Sequence, residues 1–217
     1  MLAAEVRARG RWAVRGRGGA VGGAVERCGG GGGWRERSSF GAGVGWADGL
    51  RETWEPGEPA ARRRLRAFLG EDLGSYDRAR DEPSAGATSL LSPRLRWGEI
   101  SPFTVWHEAV ATDGAGGFLS ELGWREFAWH TLYHFPDLAT KNLRPEFDAF
   151  PWPRLKPSHL RAWQRGETGV PLVDAGMREL WRTGYMHNRV RMVTASFLVK
   201  NLLIDWHQGE EWFWDTL

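Results

Sequence analysis

The sequence predicts an all-α fold, and three observations support this prediction. Several segments of the 217-residue chain carry apolar residues three or four positions apart, which places those residues on one face of a helix. No segment alternates apolar and polar residues in the way that a half-buried strand does. Prolines and glycines separate the periodic segments and so mark the connections between helices.

Residues 1–44 differ from the rest of the chain. They contain eight arginines, three glutamates and 13 of the 29 glycines, and their net charge is +5. We predict that this segment is disordered, because it cannot bury enough apolar surface to offset the entropy of ordering it. An arginine–glycine tail can bind nucleic-acid phosphates. Two other interpretations are non-native sequence, from a mis-assigned start or a frame shift, and a mitochondrial presequence, which the glycines disfavour.

The segment 45–217 carries a net charge of −3, which is +2 minus +5, and is predicted to be a helical domain. Its first helix runs from Pro56 to Arg80, where five apolar residues recur at helical spacing: Leu65, Phe68, Leu69, Leu73 and Tyr76. A turn follows at Thr88 to Pro93. Later helices, interrupted by a proline-rich loop over 135–157, are predicted at Ser101–Ala111, Gly117–His134, 158–165, 171–182, 187–204 and Gln208–Leu217.

The last predicted helix lacks the usual features of a helix end. It has neither a glycine or asparagine cap nor a basic final turn, and no proline follows it. It ends on Phe213, Trp214 and Leu217, with no later segment to cover them. We therefore expect a helical domain that is incomplete at its C-terminus.

Composition excludes several kinds of site. A single cysteine, Cys28, excludes an intramolecular disulfide, and no run of 18 apolar residues predicts a transmembrane helix. Phosphate-loop, zinc-protease and hydrolase motifs are absent. His130 and His134 are four apart on one helical face but have no third ligand nearby, so we predict no metal site. We expect a cytoplasmic, reducing compartment.

Tryptophan is unusually frequent, with 14 residues against three tyrosines. Indole rings are large, flat and easily oxidised, so an excess of them suits stacking, large interfaces or electron transfer. The other interpretation is a GC-rich genome and a tryptophan-rich core.

Three segments carry the residues most suited to chemistry. The first contains Thr88, Ser89 and Ser92, whose hydroxyls and backbone N–H groups in a tight turn suit a diphosphate. Thr88 and Ser89 could instead cap the next helix. The second segment runs from Phe118 to Phe127. The third runs from Trp163 to Trp206 and includes the sequence TGYMHNRVRM.

The second and third segments suit contact with nucleic acid. Glu121, Trp124 and Arg125 lie on one helical face, where a carboxylate beside an indole can bind and stack against a flipped-out base. A surface salt bridge between Glu121 and Arg125 is the alternative. In the third segment, the Asn188 amide can bind base edges and Arg189 can bind a backbone phosphate.

Together the three segments resemble the photolyase/cryptochrome family over roughly residues 45–217. Glu121, Trp124, Asn188 and Met192 resemble the cyclobutane-dimer photolyases more than the cryptochromes. The resemblance implies a helical domain that holds FAD and a blue-light-driven reversal of pyrimidine dimers in damaged DNA. It also implies a monomer with no membrane or metal partner. The alternatives are a cryptochrome-like photoreceptor that does not repair DNA and a non-functional gene fragment.

The resemblance also implies a role for individual residues. Those on the cofactor would be Tyr76, Thr88, Ser89, Leu90, Leu91, Ser92, Phe118 and Arg191. Those on the DNA would be Arg80, Glu121, Trp124, Arg125, Asn188, Arg189 and Met192. Glu121 would bind and protonate the dimer. Trp152 and Trp206 would be the outer and middle members of an electron relay, unless they serve only in packing.

The sequence departs from the family pattern in several places. Leu90 stands where an arginine is usual, so one cationic contact is lost or replaced, and Tyr185 replaces a frequent tryptophan. The family's antenna domain, the acidic segment and Asn-Asn motif expected after Leu217, and the relay tryptophan nearest the flavin are not found. Arg191 would need a carboxylate partner. We therefore expect this chain alone to bind FAD poorly and to be weakly active or inactive.

Overall fold

The computed structural model describes residues 47–138 and 140–217, so the predicted disorder of residues 1–44 falls on residues that it does not describe. The described part is helical and contains no strand, which confirms the predicted all-α fold. No helix in these two ranges is both long and apolar enough to cross a membrane.

The α-helices of the described ranges are numbered in chain order as α1 (Asp48–Thr53), α2 (Glu58–Ala67), α3 (Leu73–Ala79), α4 (Ser92–Arg96), α5 (Pro102–Val110), α6 (Gly116–His134), α7 (Pro157–Arg165), α8 (Pro171–Thr183), α9 (Asn188–Ser196) and α10 (Trp206–Thr216). Turns of π-helix at Phe68–Asp72 and Phe197–Asn201 continue α2 and α9, and short 3-10 helices lie at Pro83–Ala85 and Pro145–Ala149.

Most of the predicted helices are confirmed within one or two residues. The helix predicted from Pro56 to Arg80 is α2, its π turn and α3 in succession. The Ser101 hydroxyl caps α5 by accepting a hydrogen bond of 3.0 Å from the Thr104 N–H. The helix predicted to reach residue 204 ends earlier, because the π turn closes at Asn201. The last helix begins at Trp206, where the Asp205 carboxylate caps it.

Two hydrophobic clusters form the interior. The first is built by α2 to α6 and consists of Ala61, Leu65, Phe68, Leu73, Leu91, Ile100, Val105, Ala109, Ala115, Phe118 and Leu122. The second is built by α7 to α9 and the segment before α10, and consists of Trp163, Val173, Met177, Leu180, Met186, Val190, Leu198 and Ile204. Phe213 packs on the second cluster, with its ring 5.5 Å from that of Trp163, so residues that precede α10 cover part of its apolar face.

Helices α8 and α9 pack closely because Gly176 has no side chain. A Cβ atom at Gly176 would lie 2.2 Å from Cγ1 of Val190, much closer than carbon atoms approach one another. We expect Gly176→Ala to lower the free energy of unfolding by about 1–3 kcal/mol, measured by urea denaturation.

Gly74 provides the matched control for this substitution. It lies in α3, is exposed, and a Cβ atom there would meet no atom within 4 Å. Gly74→Ala should therefore raise stability by about 0.5–1 kcal/mol, since alanine favours the helix. Equal effects of the two substitutions would contradict the close approach of α8 and α9.

Candidate functional site

The predicted site residue Glu121 forms an ion pair with Arg80. Glu121 lies on α6, Arg80 follows α3 directly, and Arg80 Nη1 donates to Glu121 Oε1 at 2.6 Å. The salt bridge considered between Glu121 and Arg125 is therefore wrong. Arg125 pairs instead with Glu126 and donates to the Leu95 carbonyl at 3.2 Å. The pair brings together two residues that are 41 positions apart.

Arg189 at the start of α9 is held by Asp81. The guanidinium donates through Nε and Nη2 to the two carboxylate oxygens, both at 2.7 Å. Asp81 also lies 3.7 Å from Arg80 Nε, so Glu121, Arg80, Asp81 and Arg189 form a continuous row of charges. The hydrogen bond from Arg189 lowers the pKa of Asp81, and the hydrogen bond to Glu121 raises the pKa of Arg80. We call these four residues the charged row.

Sequence reasoning missed Asp81. The only available signal was an acidic residue directly after the candidate Arg80, and such neighbours are common on protein surfaces. Its partner Arg189 is 108 positions away, so only the packing of the α3 end against α9 shows the pairing.

Exposed side chains flank the charged row. Trp124, one turn beyond Glu121 on α6, is 62% exposed, and Met192 on α9 is 55% exposed. The Met192 sulfur lies 3.7 Å from Arg189 Nη1, and Asn188 is exposed in the first turn of α9. An exposed indole and thioether beside paired charges can stack on an unstacked base while polar groups bind its edges.

The predicted turn at Thr88 to Ser92 has a strained backbone. Leu90 adopts a φ of 54°, in the left-handed region that residues other than glycine rarely occupy and that is frequent at binding sites. Neither Thr88 nor Ser89 is the N-cap of α4, which is Leu91, but the Ser89 hydroxyl accepts a hydrogen bond of 3.4 Å from the Leu91 N–H. Leu91 itself is 1% exposed and packs in the first cluster, and its N–H and carbonyl are hydrogen-bonded to the Ser89 hydroxyl and the Leu95 N–H.

Arg64 holds the Thr88–Ser92 loop through hydrogen bonds to its backbone. It lies on α2 and donates to the carbonyls of Thr88 and Ser89, each at 2.9 Å, and to Asp72 at 3.1 Å. No feature of the sequence distinguishes Arg64 from its neighbours in an arginine run. Arg64 thus places a positive charge beside the loop in which Leu90 replaces an arginine.

Tyr185, which precedes α9, contacts the Thr88–Ser92 loop, and Arg191 lies in α9. The Tyr185 hydroxyl lies 3.1 Å from the Thr88 hydroxyl, and burial raises the pKa of Tyr185. Burial lowers the pKa of Arg191, whose Nε is buried without a hydrogen-bond partner. Within residues 47–138 and 140–217, Arg191 has no carboxylate partner of the kind that the sequence predicts.

These residues fit a cofactor that carries anionic and hydrogen-bonding groups. A buried guanidinium nitrogen without a partner is costly, and an acceptor group from a ligand would satisfy it. The hydroxyls of Thr88 and Tyr185 lie 3.1 Å apart, and the nearby positive charge of Arg191 acts to lower the pKa of Tyr185 against the larger effect of burial. Arg64 adds a second nearby positive charge.

Tyr76 and Phe118, also predicted on the cofactor, belong to the aromatic part of the first cluster. Phe118 is 6% exposed, and its ring lies 4.7 Å from Phe68 and 5.7 Å from Tyr76. Tyr76 is half-buried, and the Arg80 guanidinium lies 5.7 Å from its ring centre. The Tyr76 ring therefore links this cluster to the charged row, whereas Phe118 packs in the interior.

The two candidate relay tryptophans lie in separate surroundings. Trp152, in the loop before α7, packs on Phe150 with ring centres 4.5 Å apart. Trp206 stacks on His207 at 3.8 Å, and its indole N–H is buried without a hydrogen-bond partner. No ring contact joins Trp152 to Trp206 in the part of the chain that the structure describes.

His130 and His134 contact each other, with ring centres 4.4 Å apart. Among the described residues no group of three potential metal ligands lies close together.

Known proteins resemble this chain over most of the described residues. Residues 118–217 match the family model described as the FAD binding domain of DNA photolyase. The chain is 51% identical over 178 residues to a deoxyribodipyrimidine photo-lyase of Agrobacterium fabrum, covering 79% of this chain and 37% of that protein. This chain thus spans little more than a third of the length of that relative.

Solved structures show the same likeness. The crystal structure of a bacterial class III photolyase from Agrobacterium tumefaciens is 50% identical, with a TM-score of 0.74, over 79% of this chain and 37% of that one. A Synechocystis cryptochrome is 35% identical, with a TM-score of 0.69, over 76% of this chain and 36% of that one. With the matching family model and the shared helical fold, these similarities show that the chain belongs to the DNA photolyase/cryptochrome family, within its FAD-binding domain.

Proposed function

We propose that the protein is a deoxyribodipyrimidine photolyase, which uses FAD and blue light to split cyclobutane pyrimidine dimers in DNA. The observation that carries this proposal is the 2.6 Å pair between Arg80 and Glu121 beside the exposed Trp124, in a region similar to photolyases. A carboxylate fixed by an arginine, next to an exposed indole, is suited to a flipped-out pyrimidine dimer. The substrate is damaged DNA, and the setting we propose is a cytoplasmic monomer.

The residues assigned to the cofactor would bind and orient it. Thr88 and Ser89 would contact its diphosphate through hydroxyl and backbone N–H groups, and Arg191 would satisfy its buried guanidinium on the bound group. FAD supplies the light absorption and the electron that the reaction needs. The protein supplies orientation and the electrostatic environment.

The residues assigned to DNA would recognise the pyrimidine dimer and the DNA backbone beside it. The Glu121 carboxylate would accept a hydrogen bond from a base of the dimer, and Trp124 would stack against it. Arg80 holds Glu121 in position for this contact, which makes Arg80 a positioning residue. Asn188 and Arg189 would bind a base edge and a backbone phosphate.

A chimera tests the proposed function. Residues 47–217 would replace the matching region of the Agrobacterium fabrum photolyase, and the purified chimera would be irradiated with blue light in the presence of an oligonucleotide that contains one thymine dimer. We expect light-dependent loss of the dimer. A chimera that binds FAD and photoreduces but leaves the dimer intact would favour the cryptochrome alternative, to which the 35% identity with a Synechocystis cryptochrome also points.

We expect Glu121→Ala in the chimera to lower the ratio of affinities for dimer-containing and undamaged DNA by about tenfold or more. The reason is the loss of a hydrogen bond to a charged group, which is worth about 1.5–3 kcal/mol. Equilibrium titration of the two duplexes measures this ratio, and the repair yield should fall with it. The control is Glu71→Ala, which removes an exposed carboxylate that is not among the proposed DNA contacts. An equal ratio in the two variants would contradict the role of Glu121.

A further inference from the structure

The contact between Asp81 and Arg189 has the geometry of phosphate recognition. Arg189 donates two parallel hydrogen bonds of 2.7 Å to the two Asp81 oxygens. A guanidinium binds a phosphate group through the same paired donors. Asp81 therefore occupies the edge of Arg189 that a DNA phosphate would use, and leaves Nη1 beside the Met192 sulfur.

The charged row is electrically balanced by this contact. Arg80 and Arg189 contribute two positive charges, and Glu121 and Asp81 contribute two negative charges. Binding of undamaged DNA depends on positive groups that neutralise phosphates and release counterions. With both arginines paired internally, this surface has little net charge to offer an ordinary duplex.

A DNA phosphate can replace Asp81 in the ion pair with Arg189 at little cost to folding stability. The side chains of Arg189 and Asp81 are 41% and 55% exposed, and an ion pair with this exposure contributes little to folding stability. Asp81 lies in the turn after α3 rather than within a helix. A phosphate that arrives at Arg189 can therefore replace the carboxylate without disturbing either hydrophobic cluster.

We infer that Asp81 is an internal competitor that occupies Arg189 in place of a DNA phosphate and so weakens binding of the DNA backbone, including that of undamaged duplex. This inference rests on the proposed function. Undamaged DNA would contact this surface through its backbone alone. It must displace Asp81 and gains no base contact that offsets the free-energy cost of doing so. Damaged DNA gains the additional contacts at Glu121 and Trp124, so the same exchange costs it a smaller share of its binding.

The test compares Asp81→Asn with a matched control, Glu82→Gln, in this chain. Glu82 is the next residue, is exposed, and accepts only from the Ser84 hydroxyl, so its substitution removes the same charge without releasing Arg189. Binding of an undamaged duplex and of the same duplex with one thymine dimer would be measured by fluorescence anisotropy over a series of salt concentrations. Circular dichroism would verify that both variants keep their helices.

We expect Asp81→Asn to bind undamaged duplex about three- to tenfold more tightly than the wild type at low salt. The slope of log affinity against log salt should become steeper by about 0.9, the value for one more phosphate contact. Affinity for the dimer-containing duplex should rise by a similar factor, and the ratio of the two affinities should stay the same, because both duplexes displace the same carboxylate. Glu82→Gln should show much smaller changes. An affinity and slope for Asp81→Asn that match those of Glu82→Gln, or a weaker affinity, would overturn the inference.

A double variant assigns the effect to Arg189. Asp81→Asn combined with Arg189→Gln should lose the added affinity and the added slope, because the released guanidinium is gone. Persistence of the gain in the double variant would overturn the inference. A wild-type chain without any preference for the dimer would contradict the proposed function, whereas the undamaged duplex would still report the competition between Asp81 and phosphate.

Discussion

Trp163→Ala should lower the free energy of unfolding by about 3–5 kcal/mol, the largest effect on stability that we expect from one substitution in this chain. Trp163 is fully buried at the centre of the second hydrophobic cluster. Its indole N–H donates to the Thr194 carbonyl at 3.0 Å, and its ring contacts Phe213. The substitution leaves a cavity between α7, α9 and α10 and removes one of the hydrogen bonds to the Thr194 carbonyl.

Two further substitutions separate the causes of this loss. Trp163→Phe keeps most of the volume but removes the N–H donor, so we expect a smaller cost of about 1–3 kcal/mol. Trp181→Ala is the control, since Trp181 lies on α8 with 58% of its surface exposed. Chemical denaturation followed by circular dichroism measures all three. A cost for Trp163→Ala no greater than that for Trp181→Ala would contradict the central position of Trp163.

The helices could be predicted because their apolar residues repeat at helical spacing. Leu65, Phe68 and Leu73 appear in the sequence at this spacing, and all three are buried in the first cluster. The π turns could not be predicted, since Phe68–Asp72 and Phe197–Asn201 carry the same apolar spacing as an ordinary helix. The extra residue in each turn follows from packing between helices, which the local pattern does not encode.

The short helices were missed for a different reason. α4 has five residues, and its first two, Ser92 and Pro93, were interpreted as the end of a polar turn that begins at Thr88. A segment of this length has too few positions to show periodicity. Its stability depends on partners that are distant in sequence, since Arg94 donates to the Glu55 carbonyl and to Glu99, each at 3.0 Å.

The sequence predicted several residues of the candidate site, but it did not predict which of them contact one another. Resemblance to a family suggested Arg80, Glu121 and Arg189, and the structure shows that they lie in one row with Asp81. The helical spacing of Glu121 and Arg125 suggested the wrong pair. Neighbours at this spacing can pair, but Arg80 approaches the same carboxylate from another helix and makes the 2.6 Å contact.

Arg191→Met should change stability and cofactor affinity in opposite directions. In the absence of FAD the substitution removes a cation whose Nε is buried without a partner and whose pKa burial lowers, so we expect the free energy of unfolding to rise by about 1 kcal/mol or more. Binding of FAD should weaken by roughly ten- to a hundredfold, because one charge-assisted hydrogen bond worth about 1.5–3 kcal/mol is lost.

Thermal denaturation without FAD and equilibrium dialysis against FAD measure the two effects on the same samples. Arg161→Met is the control, because Arg161 is an exposed arginine of α7 and the chemical change is the same. It should leave both stability and affinity within error of the wild type. A fall in both quantities for Arg191→Met would indicate a structural role for the guanidinium. A gain in stability with unchanged affinity would place FAD away from Arg191. Only the opposed changes fit an arginine whose buried Nε finds its partner in the cofactor. A residue with a purely structural role would not lower the stability of the protein in the absence of FAD.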